Sequence, residues 1–249
     1  MIDWPTIRAL EEAALNAWPA LQQILVDGWL VRFANGYTKR ANSVNPFYES
    51  TQPVEAKIER CLALFQVQNL PPVFRLTPLA QPDDLDNRLA QMGFSEQSRT
   101  SVQTLDLAVF TTRFPSEFQY EASLSAAWAR HFARLNNLGA HQDAHNALLR
   151  QIIPQTCFAV LHHHGQVVAC GLAVREGAYV GLFDIVVDST VRRRGFGRTL
   201  VLSLLAWARQ QGATTAYLQV MTTNTPALNL YHTLGFREVY QYWYRLKEA

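Results

Sequence analysis

Residues 192–197 place three arginines and two glycines in six positions, Arg192, Arg193, Arg194, Gly195, Phe196 and Gly197, with Arg198 next in line. Ahead of them, residues 179–187 are apolar and β-branched enough for a buried strand. Behind them, Leu200, Val201, Leu204, Leu205 and Ala208 recur at helical spacing, and Gly212 suits a stop. A strand, a basic glycine turn and a helix start make a socket for an anion. The glycines let backbone N–H groups approach, the helix N-terminus carries partial positive charge, and the arginines add full charges. Two nucleotide loops do not fit. G-x-x-x-x-G-K-S/T is absent, and Gly195-x-Gly197 lacks both a third glycine and an acidic residue about twenty positions on.

A second stretch runs from Asn224 through Ala227 and Tyr231 to Gly235 and Phe236. Asn224 reads as an N-cap, 227–234 as a short helix, Gly235 as a left-handed C-cap and Phe236 as the start of a strand. Together the two stretches resemble the GNAT superfamily, the acyl-CoA-dependent N-acyltransferases. The loop matches R/Q-x-x-G-x-G/A after a strand ending V-x-P/D, here Arg192-x-x-Gly195-x-Gly197 after Val186-Val187-Asp188. The second stretch matches N-x-x-A-x-x-x-Y-x-x-x-G-F. The resemblance covers residues 120–249 and implies an acetyl-CoA-dependent N-acetyltransferase working by direct attack on the thioester in a ternary complex. It implies no metal, and it places the pyrophosphate on the N–H groups of residues 193–198. Pantetheine would pair, strand-like, with the backbone of Ile185, Val186 and Val187, and Asn224 would close the same site.

Asp184 is the one acidic side chain in its apolar strand, and a buried carboxylate needs a partner or a task. The resemblance gives it the task of accepting the amine proton, directly or through water; the alternative is a carboxylate hydrogen-bonded across the sheet. Tyr231 matches the position that bonds the CoA sulfur. Free phenols sit about 1.5 units above free thiols, so full proton transfer to the leaving thiolate is uphill by roughly 2 kcal/mol. A hydrogen bond that strengthens as charge develops is the expected role. Arg193 and Arg194 either face the anion or point into solvent. His162, His163 and His164 cannot converge on one ion from a regular strand, and His141 with His145, four apart, lack a third ligand.

Positioning these groups takes more chain than the motifs occupy. The first half falls on the second without gaps: Met92-Gly93-Phe94 aligns with Leu234-Gly235-Phe236 at a shift of 142 residues, the separation of Gly93 from Gly235. Under the same shift Ile58, Leu62 and Phe65 fall on Leu200, Leu204 and Trp207, and residues 73–76 on 215–218. The expected fold is α/β (α+β), two GNAT-like mixed-sheet domains in tandem. Residues 1–110 would be a degenerate copy without a CoA loop and 118–249 the catalytic one, with the boundary near Thr111, Thr112 and Pro115. Where the second copy has its arginines, the first has Ser50, Thr51, Gln52, Pro53, Val54 and Glu55, and Leu89 stands for Tyr231. Asn42 takes the place of Asp184, so it either lines the facing side of a substrate cleft or holds a turn. The first half also resembles the front part of some tandem GNAT proteins, through Gly28-Trp29, Arg32, Gly36-Tyr37-Thr38, Arg40 and Asn42-Ser43.

Element by element, the patterns predict helices over 3–17, a short stretch after Trp18-Pro19, 53–68, 82–92, 121–137 and 142–152. They predict a hairpin of 29–34 with 37–44 about Asn35-Gly36, strands over 73–76 and 95–107, and a meander of 157–162, 166–175 and 178–187. A strand over 214–220 and a closing strand over 236–246 complete the set. The chain has 249 residues, 49% of them hydrophobic, and a formal charge of +2, enough for a sizeable core and no summons to nucleic acid. No apolar run reaches membrane-spanning length, no signal peptide opens the chain, and Cys61, Cys157 and Cys170 are odd in number and unpatterned. The expectation is a cytoplasmic monomer or homodimer with a small-molecule or peptide amine acceptor, no nucleic acid and no membrane. The rival is a non-catalytic acyl-CoA-binding or regulatory module.

Overall fold

The computed structural model describes residues 3–108 and 114–247, so Thr111 and Thr112 of the expected boundary lie outside the described residues. One mixed sheet of eleven strands runs through the molecule. Helix α1 (Trp4–Ala17) starts on Asp3, whose side chain accepts from the Thr6 N–H, with Pro5 in its first turn. It buries Ile7, Leu10, Ala13, Ala14 and Ala17. Glu11 from the same face is buried and paired with Arg75, and it accepts from the Tyr240 hydroxyl.

Two elements depart from the sequence pattern. The stretch after Trp18-Pro19 is strand β1 (Gln22–Val26), not a helix, and pairs antiparallel with β2 (Trp29–Phe33). Their two-residue turn is Asp27-Gly28, both at positive φ, the Asp-Gly hairpin that strand twist favours. Asn35-Gly36 does turn the chain, but 37–43 form no strand. A single 3-10 turn, Lys39–Ala41, intervenes, and only β3 (Val44–Asn45) pairs with β2. Helix α2 (Val54–Val67), β4 (Val73–Leu76), α3 (Leu85–Gln91) and β5 (Ser95–Asp106) follow as the periodicities require.

Past the linker, β6 (Phe118–Glu121) is a strand where the expected helix began, and α4 (Ala126–Asn136) starts on Ser125, whose hydroxyl accepts from the Trp128 N–H. Helix α5 (Gln142–Leu149), β7 (Gln155–His163), β8 (Gln166–Glu176) and β9 (Tyr179–Val187) lead to α6 (Phe196–Gln210). Then come β10 (Thr215–Met221), α7 (Thr225–Leu234) and β11 (Arg237–Leu246).

The sheet order is β1-β2-β3-β4-β11-β5-β10-β9-β8-β7-β6. Read inward from either end, β1 to β4 mirror β7 to β10, but the last strand of each half has crossed over. Strand β11 lies between β4 and β5, and β5 lies between β11 and β10, all antiparallel. On one face, α6 packs Leu200, Leu204 and Leu205 onto Ala169, Ala173 and Leu182. On the other, α1, α4 and α5 pack Leu10, Trp128, Phe132 and Leu148 with Cys170, Leu172, Phe183 and Tyr242. A third cluster joins α2 and α3 to β1–β4 through Ile58, Phe65, Leu89, Val31 and Phe74. Among the described residues no helix is long and apolar enough to cross a membrane.

Candidate active site

Strand β9 carries the site because its alternation is broken. Leu172 of β8 faces Phe183 and Cys170 faces Val186, so Asp184 and Ile185 together oppose Gly171 alone. This is a β-bulge, and Asp184 is its left-handed residue at φ 52°. Asp is among the residues that tolerate that region. The bulge shifts the pattern by one: Leu182, Ile185 and Val187 face α6, while Phe183 and Val186 face α4 and α5. A methyl on Gly171 would stand 2.8 Å from the end of the Ile185 side chain and 3.0 Å from that of Leu204, so any larger residue there must push these side chains aside.

Asp184 turns to the α4–α5 face, where its Oδ2 meets His145 Nε2 at 2.8 Å. His145 is wholly buried, stacked on Phe132 at 4.7 Å and ringed by Trp18, Trp128 and Tyr37. Its Nδ1 has no partner. Burial, with the Asp184 charge added, pushes the Tyr37 phenol far above its ordinary value.

Strands β9 and β10 pair in parallel only as far as Leu182 with Leu218, then part. Beyond that point the edge of β9 facing β10 offers unpaired backbone over residues 183–187. A cavity of about 530 Å³ opens there, reached by Asp184, Ile185, Val186, Asn224 and Tyr231 from the second half and by Trp18, Tyr37 and Arg40 from the first. Asn224 caps α7, accepting from the Ala227 N–H. Tyr231 makes no hydrogen bond among the described residues, and burial pushes its phenol up to about 12. It is therefore a protonated donor aimed into the cavity at neutral pH.

Asp188 ends β9 and holds the next turn. Its carboxylate accepts from the Thr190 hydroxyl at 2.7 Å, the Thr190 N–H at 3.0 Å and Arg134 at 3.0 Å. Those bonds, the Thr190 hydroxyl first, hold its carboxyl down to about 2. The chain then passes Arg193 at φ 61° and Gly195 at φ 87° into α6. The backbone N–H groups of residues 194–198 make no hydrogen bond among the described residues, as the open first turn of a helix requires. Arg192, Arg193, Arg194 and Arg198 are exposed and in no ion pair among the described residues. Phe196 and Gly197 are half-buried, and Gly197 lies against Val187 and Leu230.

Asn42 does not line this cavity. Its Oδ1 accepts from the Ala34 and Gly36 N–H groups at 2.7 and 3.0 Å, and its Nδ2 donates to the Tyr37 and Thr38 carbonyls at 2.6 and 2.9 Å. No donor or acceptor is left for a substrate. The turn-holding alternative is the one that fits, and what Asn42 holds is the arch that carries Tyr37 and Arg40 into the cavity. His145, Trp18, Tyr37 and Arg40 are the site residues that sequence reasoning passed over. Tyr37 and Arg40 stood in the Gly-Tyr-Thr-x-Arg run, whereas nothing local pairs His145 with Asp184, 39 residues away.

Residues 5–245 match the family described as the C-terminal region of probable histone acetyltransferase Rv0428c. An uncharacterized N-acetyltransferase of Bacillus subtilis, YobR, is 30% identical over 97% of this chain and 98% of its own length. The probable histone acetyltransferase Rv0428c of Mycobacterium tuberculosis is 28% identical over 93% of this chain and 70% of its own. Among solved structures, a GCN5-related N-acetyltransferase from Kribbella flavida superposes with a TM-score of 0.74 at 15% identity, covering 97% of this chain and 95% of that one. A tandem GNAT protein from the clavulanic acid biosynthesis pathway reaches 0.57 at 18% identity over 78% and 70%.

Proposed function

From the premise that the chain belongs to the Rv0428c C-terminal family, and so to the GNAT-type N-acetyltransferases, we propose that it moves an acetyl group from acetyl-CoA to a primary amine by direct attack. Acetyl-CoA supplies the activated acyl carbon; the rest is done by the residues already described. The free N–H groups of 194–198 at the start of α6, flanked by the exposed arginines, fit a diphosphate. The unpaired edge of Ile185, Val186 and Val187 fits an amide-bearing arm that pairs as a strand would. Asn224 fixes the start of α7 and hence the reach of Tyr231.

Asp184 accepts a proton from the acceptor ammonium, directly or through one water, while His145 holds its carboxylate in place. Balance requires the nitrogen to lose two protons as the N–C bond forms and the C–S bond breaks. One leaves through Asp184 to solvent and one ends on the sulfur. Tyr231 donates a hydrogen bond to that sulfur as its charge grows, and its raised phenol favours bonding over full proton transfer. No cysteine takes part: Cys61, Cys157 and Cys170 are free, buried and raised by burial, which also suits a reducing cytoplasm.

We read the two halves, 1–110 and 118–249, as copies of one unit. The mirrored strand order and the shift of 142 residues between Gly93 and Gly235, both at positive φ, support that reading. One observation carries the function: a bulged carboxylate, an unpaired strand edge and a lone tyrosine donor meet in one cavity. Calorimetry with acetyl-CoA and CoA tests it. Micromolar uptake is expected, followed by thiol release when an amine is added, and no uptake by folded protein would overturn the reading.

A further inference from the structure

We propose that the acceptor carries its own carboxylate, as a free α-amino acid does, and that Arg40 receives it while Asp184 faces the amine. The inference rests on the transferase reading and narrows its acceptor. Three arginines lie in or beside the interior where α1, β11 and the 34–43 arch meet, and two are matched. Arg75 is paired with Glu11, and Arg32 donates to the carbonyls of Leu15, Trp18 and Arg40. Arg40 pairs with no carboxylate among the described residues; the phenols of Tyr242 and Tyr244 lie near enough to act on its charge. Its Nε is buried without a partner, as are those of Arg32 and Arg75, so what sets Arg40 apart is that no carboxylate or carbonyl accepts from its guanidinium among the described residues. Lys39 beside it bonds Gln97 and Ser98, again no carboxylate. Asp184 is the only acidic side chain among the cavity's lining residues, and His145 already occupies one of its oxygens.

A half-buried guanidinium without a counter-charge is under-satisfied, and its planar fork matches a carboxylate better than any neutral group. The diphosphate cannot fill this role. It belongs at the start of α6, on the face of Leu182 and Leu204, whereas Arg40 lies over the Trp18 ring, 5.7 Å from its centre, in the cluster of Phe183 and Phe132. Arg40 and Asp184 line the same cavity. Trp18 also lies 6.1 Å from the His145 ring, and the Tyr37 phenol is acted on by the charges of both Asp184 and Arg40. An ammonium at Asp184 and a carboxylate at Arg40 would bracket Tyr37. A peptide N-terminus would set a neutral carbonyl against Arg40 and leave its charge unmatched.

The test uses full-length protein with acetyl-CoA, the common amino acids, and the same amino acids as C-terminal amides, with thiol release as readout. At least one free acid is expected to exceed its own amide by about tenfold to a hundredfold in kcat/KM. Arg40→Gln should erase that ratio, through KM rather than acetyl-CoA affinity, and Arg40→Lys should restore part of it. A melting curve for each variant separates misfolding from lost recognition; if Arg40→Gln does not fold, the acid-to-amide ratio of the unaltered protein decides alone. Amides used as well as acids, or no acid used by protein that binds acetyl-CoA, overturns the inference and leaves the transferase reading standing. Failure to take up acetyl-CoA at all removes both.

Discussion

Replacing Asp184 separates its chemistry from its packing. Asn keeps the shape, tolerates the left-handed backbone at φ 52°, and still offers an oxygen to His145 Nε2. Asp184→Asn should therefore fold, melt within a few degrees of the parent and bind acetyl-CoA unchanged. What it cannot do is take a proton, and loss of a positioned general base lowers turnover by about a hundredfold to ten-thousandfold. Asp184→Ala is a different lesion. It forces a residue with a methyl side chain into the left-handed region, at about 1–2 kcal/mol. It also leaves the fully buried His145 with neither nitrogen partnered, at about 1–3 kcal/mol more. A fall in Tm on the order of 10 °C is expected for a chain of this size. Thiol release across pH, with calorimetry and melting on the same samples, distinguishes the two. An Asp184→Asn enzyme within threefold of the parent at every pH would refute a proton-accepting role and leave a carboxylate that only braces the bulge.

Tyr231→Phe should lower turnover by about tenfold to a hundredfold, the worth of one hydrogen bond to developing charge, with acetyl-CoA affinity nearly intact by calorimetry. Gly195→Val puts a branched side chain at φ 87° where the loop enters α6; acetyl-CoA affinity should fall at least about tenfold by calorimetry, and backbone strain of about 1–2 kcal/mol should lower Tm by a few degrees. Asn42→Ala removes the side-chain bonds that hold the Tyr37–Arg40 arch, and it should raise the acceptor KM without altering acetyl-CoA affinity. The Asp188 carboxyl is depressed from 3.8 to about 2, so its hold on the turn before the anion loop is complete above 3.8 and lost as pH falls through 2. An NMR titration should place its midpoint near the lower value, and one at the ordinary value would contradict the Thr190 and Arg134 bonds.

The anion loop and the α7 motif could be read from sequence because both are local: a glycine turn, a cap and a helix stripe each declare themselves within a dozen residues. The same holds for α2, β4 and the β7–β9 meander, whose apolar periods are strong. What failed was set by contacts far away in sequence. Strand β1 exposes four of its five residues and shows no alternation, since only pairing with β2 makes it a strand. Its Asp27-Gly28 turn was a usable signal that went unread in favour of Asn35-Gly36. Residues 37–43 follow the Asn35-Gly36 turn and so read as the partner strand of a hairpin, yet the Asn42 side chain draws the chain into an arch instead. Asp184 could be singled out as an acid in an apolar strand. Its partner could not, because a helix separated from it by two strands supplies His145.

The crossing of β5 and β11 gives the first half its reason to persist on the proposed two-copy reading. Its 50–55 loop has neither the glycines nor the arginines of the 192–197 loop. Yet β5 pairs with both β10 and β11, so without it the site-bearing sheet would expose two bare edges. The buried Glu11–Arg75 pair and the Tyr240 hydroxyl bind α1 to β4 and β11 across the same seam. That seam brings Trp18, Tyr37 and Arg40 opposite Asp184. On the proposed function, the donor side of the cavity would come from one half and the acceptor side from the other. A copy freed from cofactor binding can change its arch without disturbing the anion loop. If the proposed site is right, acceptor preference should vary among relatives through residues 34–43, while 184–198 stay constrained by the thioester that the proposal places on them.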